Sequence, residues 1–389
     1  MGQYSDSKGN VHWDDEFNGP SSTKWKTTSR VAQPLLNSVA AAGTLTITTG
    51  NPVLGATVGV GMLGYQLIDT MHKRSIRPGI SIIEEYSSDN LIDSILDNKN
   101  VFGDFSLHKD KRRLFLDALA LSQDVYVVNN HSPNFYHTYS FRYSEPKEKG
   151  WLLINENFRN DEIEDIDIRH LCGEIQRISH NFNNVISGLG SMACICRFTN
   201  DMYIVAYVFE GTYPKETQDL GADIEQGLMG KTPQYEQAIY NAQLIASKFN
   251  KNSNIRNKCK LYYFGHSLGG GLANIAALST GYPSITFNAA SLHPDYVSMY
   301  EDNFKQRILV GAYLEGEVLS SKASKAIGLP KVGDRYKIEL KNISKNKYKT
   351  KSLSGVMFNI PAVRKHMLEP LIEHYYNTTP TTWNKTNKL

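Results

Sequence analysis

Cysteine is scarce in this chain, and the few cysteines that occur exclude several kinds of site. They are Cys172, Cys194, Cys196 and Cys259, and no pair has the C-x-x-C spacing of a zinc ribbon. With 389 residues, of which 41% are hydrophobic, the chain can bury a large core. It therefore needs no disulfide or metal to fold, and we expect that it uses neither a metal nor another cofactor.

An excess of charge of one sign is also missing. Lys and Arg together number 42 against 39 Asp and Glu, a net charge of +3, which is too balanced to indicate nucleic acid as a partner. Residues 1–8 are polar and of mixed charge, and no cationic start leads into an apolar stretch. This pattern predicts no standard secretory signal peptide. Asp6 stands where N-myristoylation of Gly2 would require Ser or Thr, so that modification is not expected.

The stretch 31–68 contains no charged residue and is rich in Ala, Gly, Val, Leu and Thr. Turn-forming residues at 49–52 divide it, which predicts a hairpin of two apolar helices at 34–48 and 52–71. Soluble proteins rarely leave such a surface uncovered. We interpret the hairpin as a contact for a membrane or a hydrophobic carrier, with a buried helix pair or a membrane anchor as alternatives.

Charged and turn residues return after this stretch and predict a boundary between an N-terminal segment, 1–88, and a second domain, 89–389. In the second domain, segments with the pattern of strands alternate with segments of helical periodicity. Such alternation is typical of α/β proteins with a mostly parallel sheet that is covered on both faces. The predicted strands are 151–155, 202–209, 260–264, 284–287 and 308–314, and the predicted helices are 114–122, 234–249 and 272–278, with a short apolar run at 125–128.

A G-x-S-x-G motif, Gly265-His266-Ser267-Leu268-Gly269, joins one of these strands to an Ala-rich helix. This is the context of a nucleophile elbow in an α/β-hydrolase, where a serine stands on a sharp turn. Side chains two residues before and after the serine would collide with the strand or the helix, which explains both glycines. The helix N-terminus would favour negative charge that develops beside Ser267. The His266 side chain is expected to point away from the nucleophile and to have a structural role.

Upstream of the elbow, a predicted strand ends in Phe209-Glu210-Gly211-Thr212. Together with the elbow, this segment resembles the class 3 lipases of the α/β-hydrolase fold, in which the corresponding strand ends in Phe-Arg-Gly-Thr. The resemblance covers approximately residues 114–375 and departs from the family at Glu210. It implies an oxyanion hole formed by the backbone N–H groups of Thr212 and Leu268.

The resemblance also implies the remaining members of a catalytic triad, which follow the serine in the order acid and then histidine. The acid is expected after the strand at 308–314, where Glu317 fits best because apolar residues follow it, and Glu315 is the alternative. Lys365-His366-Met367-Leu368 resembles the family's terminal histidine segment. The implied triad is therefore Ser267, Glu317 and His366, acting on a carboxylic ester.

Two segments favour a lipid substrate. Residues 213–232 occupy the position of the lid in class 3 lipases and contain apolar side chains among polar ones, and residues 322–351 contain ten basic residues against Asp334 and Glu339. A cationic segment near the active site would attract an anionic phospholipid surface. The expected activity is therefore that of a lipase or a phospholipase A.

The combination of an uncharged N-terminal segment, no signal peptide and a class 3 lipase domain is similar to antibacterial phospholipase effectors of type VI secretion. This resemblance implies a toxin made in the cytoplasm and delivered into the periplasm of a target cell. It also implies an immunity protein and a secretion-tube protein or adaptor that binds the N-terminal segment. Two alternatives remain open, an intracellular carboxylesterase or lipase without a toxin role, and a non-enzymatic membrane or interaction module with a degenerate hydrolase domain.

Overall fold

The contacts within the chain divide it into two compact units, Met1–Arg77 and Pro78–Leu389. In the first unit, strands β1 (Gln3–Ser5) and β2 (Val11–Trp13) pair antiparallel. The residues that the computed structural model describes are 3–5, 11–13, 85–86, 91–129, 150–159, 161, 163–184, 187–211, 233–251, 253–292, 294–317, 332–338, 366–368 and 370–372.

Two of the predicted segments lie outside these described residues. They are the helical hairpin at 34–48 and 52–71 and the lid at 213–232. The domain boundary between residues 88 and 89 stays a prediction.

The described part of the second unit is built around a mixed sheet of eight strands. Their order across the sheet is β3, β10, β9, β8, β7, β6, β5, β4, where the strands are β3 (Glu85–Tyr86), β4 (Leu152–Leu153), β5 (Ser191–Thr199), β6 (Met202–Phe209), β7 (Cys259–His266), β8 (Ser284–Phe287), β9 (Leu309–Leu314) and β10 (Asp334–Ile338). Neighbouring strands from β3 to β6 pair parallel, and only the pairs β6–β5 and β5–β4 are antiparallel. The predicted mostly parallel sheet is confirmed.

Helices flank this sheet, and two of the longer helices contact its central strands. The described helices are α1 (Leu91–Leu96), α2 (Lys99–Phe102), α3 (His108–Val128), α4 (Ile166–Ile178), α5 (Pro233–Asn250), α6 (Ser253–Lys258), α7 (Leu268–Thr280), α8 (Pro294–Met299) and α9 (Glu301–Lys305). Helix α4 begins after Asp165, whose side chain accepts hydrogen bonds from the Asp167 and Ile168 N–H groups. These are among the first N–H groups of the helix, which have no partner within it.

The central strands explain how two cores form on opposite faces of one sheet. Along β7, Leu261 and Tyr263 belong to the core beneath α5 and α7, whereas Tyr262 and Phe264 belong to the core beneath α3. Because successive side chains of a strand point to opposite faces, an unbroken apolar strand serves both cores at once. The predicted covering of both faces is thereby confirmed.

Two of the segments for which the sequence makes a prediction differ in kind from it. The helix predicted at 114–122 and the apolar run at 125–128 form one helix, α3, because no Gly or Pro separates them. Strand β10 lies inside the basic segment 322–351, where Asp334 and Arg335 are buried and the Arg335 guanidinium lies 4.2 Å from the centre of the Tyr313 ring. This part of the segment is therefore a strand of the sheet and not a solvated cationic surface.

Among the residues that the structure describes, no helix has both the length and the apolar character needed to cross a membrane.

Helix α5 offers a direct test of the core beneath it. Ile245 is fully buried in that core, whereas Gln243 on the same helix is exposed. We expect Ile245→Ala to lower the free energy of unfolding by about 3 kcal/mol, because it removes apolar burial and leaves a cavity. The matched variant Gln243→Ala should change it by less than about 0.5 kcal/mol. Denaturant unfolding of both variants measures the difference, and equal effects would contradict the packing of α5 described here.

Candidate active site

Ser267 occupies the turn between β7 and α7 in a strained backbone conformation. Its φ is 57° and its ψ is −126°, a region that residues with a side chain rarely adopt. Two hydrogen bonds hold this turn, from the Ser267 N–H to the Phe287 carbonyl at 3.1 Å and from the Ala290 N–H to the Ser267 carbonyl at 2.8 Å. Ser267 stands at the N-cap of α7 but makes no capping hydrogen bond, so its hydroxyl remains available for another partner.

The two glycines of the motif lie where a side chain does not fit. A Cβ added at Gly265 would overlap the backbone carbonyl of Gly269, and one added at Gly269 would overlap the carbonyl of Phe209. Both obstacles are backbone atoms, which cannot move aside as a flexible side chain can. The close approach of β6, β7 and α7 around Ser267 therefore requires glycine at both positions.

The structure brings Ser267, His366 and Glu317 together. His366 Nε2 lies 2.7 Å from Ser267 Oγ, and His366 Nδ1 lies 2.7 Å from Glu317 Oε2. All three residues are buried, with Glu317 wholly inaccessible. Because a carboxylate can only accept, His366 Nδ1 carries the hydrogen, and the lone pair of Nε2 faces the serine hydroxyl. This arrangement allows the serine proton to pass to His366.

The turn after β9 separates the two candidate acids. Gly316 has a φ of 75°, a conformation that glycine adopts without strain, and the turn directs Glu317 into the site. Glu315 lies outside it, with a side chain that is 56% exposed and an Oε1 that lies 3.4 Å from Lys337 Nζ. The structure therefore brings Glu317, and not Glu315, to the histidine.

Of the two expected oxyanion donors, Leu268 is described and Thr212 lies outside the described residues. Leu268 is the first residue of α7, so its N–H belongs to the helix turn that has no intrahelical acceptors. The N–H of Gly211 is engaged elsewhere, because it donates to the Tyr126 hydroxyl at 3.1 Å. Glu210, which departs from the lipase pattern, is buried and accepts a 2.7 Å hydrogen bond from Asn129 Nδ2.

His266 is buried beside the site but does not contact the Ser267 hydroxyl. Its Nε2 donates to the backbone carbonyl of His366 at 2.7 Å, and its Nδ1 lies 3.0 Å from the Tyr126 hydroxyl. Burial, together with the nearby His366 ring, lowers the pKa of His266 to about 3, so the ring is neutral at neutral pH.

Asn288 follows β8 and is a second residue that holds the His366 segment. Its Nδ2 donates to the His366 carbonyl at 2.8 Å, and its Oδ1 accepts from the Leu314 N–H at 2.9 Å. Asn288 is fully buried and has a φ of 45°, in the left-handed region that Asn tolerates better than most residues.

Sequence reasoning singled out neither Tyr126 nor Asn288 as a functional residue. Asn288 could have been found, since it directly follows a parallel strand whose carboxyl end lies at the same edge as the elbow. Tyr126 carries no such signal, because it lies near the C-terminal end of an ordinary amphipathic helix that is far from the motif in the chain. Among the described residues, no cluster of His, Cys, Asp and Glu is arranged to hold a metal ion.

Comparison with known proteins finds a phospholipase and lipases that are similar to this chain. Among curated proteins, the extracellular phospholipase A1 of Serratia liquefaciens is 36% identical over 107 residues, which are 27% of this chain and 29% of that protein. The chain thus matches less than a third of that relative's length. Among solved structures, the native Rhizomucor miehei lipase propeptide complex has 14% identity and a TM-score of 0.37 over 58% of this chain and 68% of that chain. A triacylglycerol lipase from Penicillium expansum has 12% identity and a TM-score of 0.27 over 46% of this chain and 81% of that chain.

A family model matches a longer part of the chain than the curated relative does. The model of a phospholipase-like family, the Tle-like phospholipase domain, matches residues 118–333, which is more than half of the chain. This range includes the second half of α3, the elbow with Ser267 and the turn that carries Glu317. The protein therefore belongs to the Tle-like phospholipase domain family.

Proposed function

We propose that the protein hydrolyses fatty-acyl esters through a triad of Ser267, His366 and Glu317. The observation that carries the proposal is the pair of 2.7 Å contacts that joins the serine hydroxyl to the histidine and the histidine to the carboxylate. In this mechanism His366 Nε2 takes the proton as Ser267 Oγ attacks the ester carbonyl, and it then returns the proton to the departing alcohol. Water, activated by the same histidine, releases the acyl group from the serine.

The oxyanion of the tetrahedral intermediate would be stabilised by backbone N–H groups. Leu268 supplies one of them in this proposal, because it directly follows the nucleophile at the N-terminus of α7. The partial positive charge of the helix end supports the same oxygen. By the lipase resemblance, the Thr212 N–H supplies the second donor.

The triad is tested by removing each member separately. We expect Ser267→Ala and His366→Ala each to lower kcat for a soluble short-chain ester by at least about 10⁴-fold. Glu317→Gln should lower it by about 10³-fold or more, because the amide no longer stabilises the histidine tautomer and its cation. Steady-state kinetics on folded, purified variants measures these losses.

Glu315→Gln is the matched control for the acid, since it removes a carboxylate from the same turn. Its side chain is exposed and contacts Lys337, so kcat should stay within about twofold of wild type. A large loss in Glu315→Gln together with an active Glu317→Gln would reverse the assignment of the acid.

We propose further that the substrate is a phospholipid and that the activity is that of a phospholipase A. Membership of the Tle-like phospholipase domain family supports this proposal, as does the match to a protein named an extracellular phospholipase A1. Only the acyl ester bonds of the lipid fit the chemistry of the triad, because a phosphodiester has no acyl carbonyl for Ser267 to attack.

The substrate is tested with vesicles of phosphatidylethanolamine and phosphatidylglycerol that are labelled separately at each acyl chain. Wild type should release labelled fatty acid and Ser267→Ala should release none, and the labelled chain that appears identifies the position of cleavage. Turnover of a soluble ester without release from vesicles would favour the alternative of an intracellular carboxylesterase. Inactivity on both, with no labelling of Ser267 by a fluorophosphonate, would favour a non-enzymatic module.

We propose that the protein acts as an antibacterial toxin of a type VI secretion system. The uncharged stretch 31–68 and the lipase motifs support this proposal through the resemblance to such effectors. A secretion-tube protein or an adaptor would bind the N-terminal segment, and an immunity protein would protect the producing cell. The target would be the phospholipid of the recipient's membrane, reached from the periplasm.

Directing the protein to the periplasm of a bacterial host tests the toxin role. The wild-type chain with an added export signal should stop growth, whereas the same chain kept in the cytoplasm should be tolerated. Exported Ser267→Ala is the control and should be harmless, because toxicity in this proposal comes from lipid cleavage. Normal growth with exported, active enzyme would rule out the toxin role without affecting the proposed hydrolase.

A further inference from the structure

One backbone oxygen beside the candidate nucleophile is held by two side chains at once. The carbonyl of His366 accepts from His266 Nε2 at 2.7 Å and from Asn288 Nδ2 at 2.8 Å. A carbonyl oxygen has two lone pairs, so these two donors use its full capacity. Both donors are buried, where a hydrogen bond is not exchanged with water and fixes geometry strongly.

The two donors come from the ends of neighbouring parallel strands. His266 is the last residue of β7 and Asn288 directly follows β8, and the two strands pair in register. The backbone of the histidine segment is therefore attached to the two central strands of the sheet. Because the same residue carries the ring that contacts Ser267 and Glu317, fixing its carbonyl limits where that ring can lie.

The His366 carbonyl requires the hydrogen of His266 on Nε2, and Tyr126 supports the same tautomer from the other side of the ring. Since a carbonyl can only accept, His266 Nε2 must be the donor to His366, and Nδ1 of the neutral ring is then an acceptor. The Tyr126 hydroxyl lies 3.0 Å from Nδ1 and donates to it, while its oxygen accepts from the Gly211 N–H. The opposite tautomer would place two lone pairs against each other at the His366 carbonyl.

We infer that His266 and Asn288 are positioning residues for His366, and that Tyr126 acts through His266 by holding its tautomer. This inference rests on the proposed triad. It assigns a role to the histidine of the Gly-His-Ser-Leu-Gly motif that differs from the role of the base. The same side chains also bind the backbone near the other members of the site. Tyr126 accepts from the Gly211 N–H, beside the predicted oxyanion residue, and Asn288 accepts from the Leu314 N–H, before the predicted acid.

The His266 variants separate the donor from the ring. His266→Leu removes the donor to the His366 carbonyl, whereas His266→Gln keeps an N–H donor at a similar distance from the backbone. With a soluble ester, we expect His266→Leu to lower kcat by about 10²-fold with KM within about threefold, because a small displacement of a catalytic group is costly. His266→Gln should recover most of that loss. Rescue by a residue that shares only the donor distinguishes positioning from a general need for bulk.

Tyr126→Phe tests the tautomer without leaving a cavity. It should lower kcat by about tenfold, roughly 1.4 kcal/mol of activation free energy, with an unchanged KM. The matched control is Tyr262→Phe on β7, because the Tyr262 hydroxyl is also buried and donates to the Val101 carbonyl at 2.7 Å. Tyr126→Phe loses two buried hydrogen bonds and Tyr262→Phe loses one, so both should lower thermal stability, but Tyr262→Phe should keep the kcat of wild type.

Asn288→Asp independently tests the second donor to the His366 carbonyl, which is Asn288 Nδ2. The carboxylate can still accept the hydrogen bond from the Leu314 N–H, and Asp tolerates the left-handed backbone conformation as Asn does. The carboxylate can no longer donate to the His366 carbonyl. We expect kcat to fall by about tenfold or more. The amount of Ser267 that a fluorophosphonate labels at completion gives the folded, competent fraction of every variant, so that kcat refers to competent enzyme only.

The outcomes separate this inference from the proposed function. If wild type does not turn over esters, or if Ser267→Ala does, the proposed function fails. If the triad behaves as proposed but His266→Leu and Tyr126→Phe keep kcat within threefold of wild type, the positioning roles are wrong and the triad stands. An equal loss in His266→Gln and His266→Leu, or in Tyr126→Phe and Tyr262→Phe, would likewise overturn the inference.

Discussion

The turn at Ser267 is the constraint on which the rest of the site depends. A residue with a side chain is held at a φ of 57°, which costs free energy that the surrounding structure must supply. The Phe287 carbonyl and the Ala290 N–H hold the turn from the side of β8. Absence of side chains at Gly265 and Gly269 allows β6 and α7 to approach it. Because the turn is held in this way, the Ser267 hydroxyl does not cap α7 and instead faces His366.

The parallel sheet explains why residues far apart in the chain meet at this turn. Strands β6, β7, β8 and β9 are parallel neighbours, so their carboxyl ends lie at one edge. Gly211, Ser267, Asn288 and Glu317 follow these four ends in turn. Side chains from this edge then hold the backbone of His366, which comes from a segment near the end of the chain. The site is thus a property of the sheet edge and not of the motif alone.

Agreement between sequence and structure is closest where a segment is apolar and has a strong local signal. Strand β8 coincides with its predicted bounds, and α5 differs by one residue at each end. Strands β5 and β10 were not predicted, because Ser, Arg and Asp interrupt their apolar pattern. In β10 these residues are nevertheless buried, as the Arg335 guanidinium packs on the Tyr313 ring. The burial of Arg335 depends on a ring from the neighbouring strand, and the local sequence of β10 carries no information about that neighbour.

The sequence by itself determined the position of the proposed nucleophile, its turn and the alternating architecture. Glycine spacing and apolar periodicity are local, and they describe backbone requirements that hold wherever the segment lies. Only the tertiary structure decided that Glu317, and not Glu315, lies beside His366, because two acids only two residues apart in one turn differ mainly in the direction of their side chains. It also decided the contacts of Tyr126 and His266, which are distant in sequence and meet because α3 packs across β7. Hydrogen bonds between remote side chains depend on this packing, so they leave no pattern in the sequence.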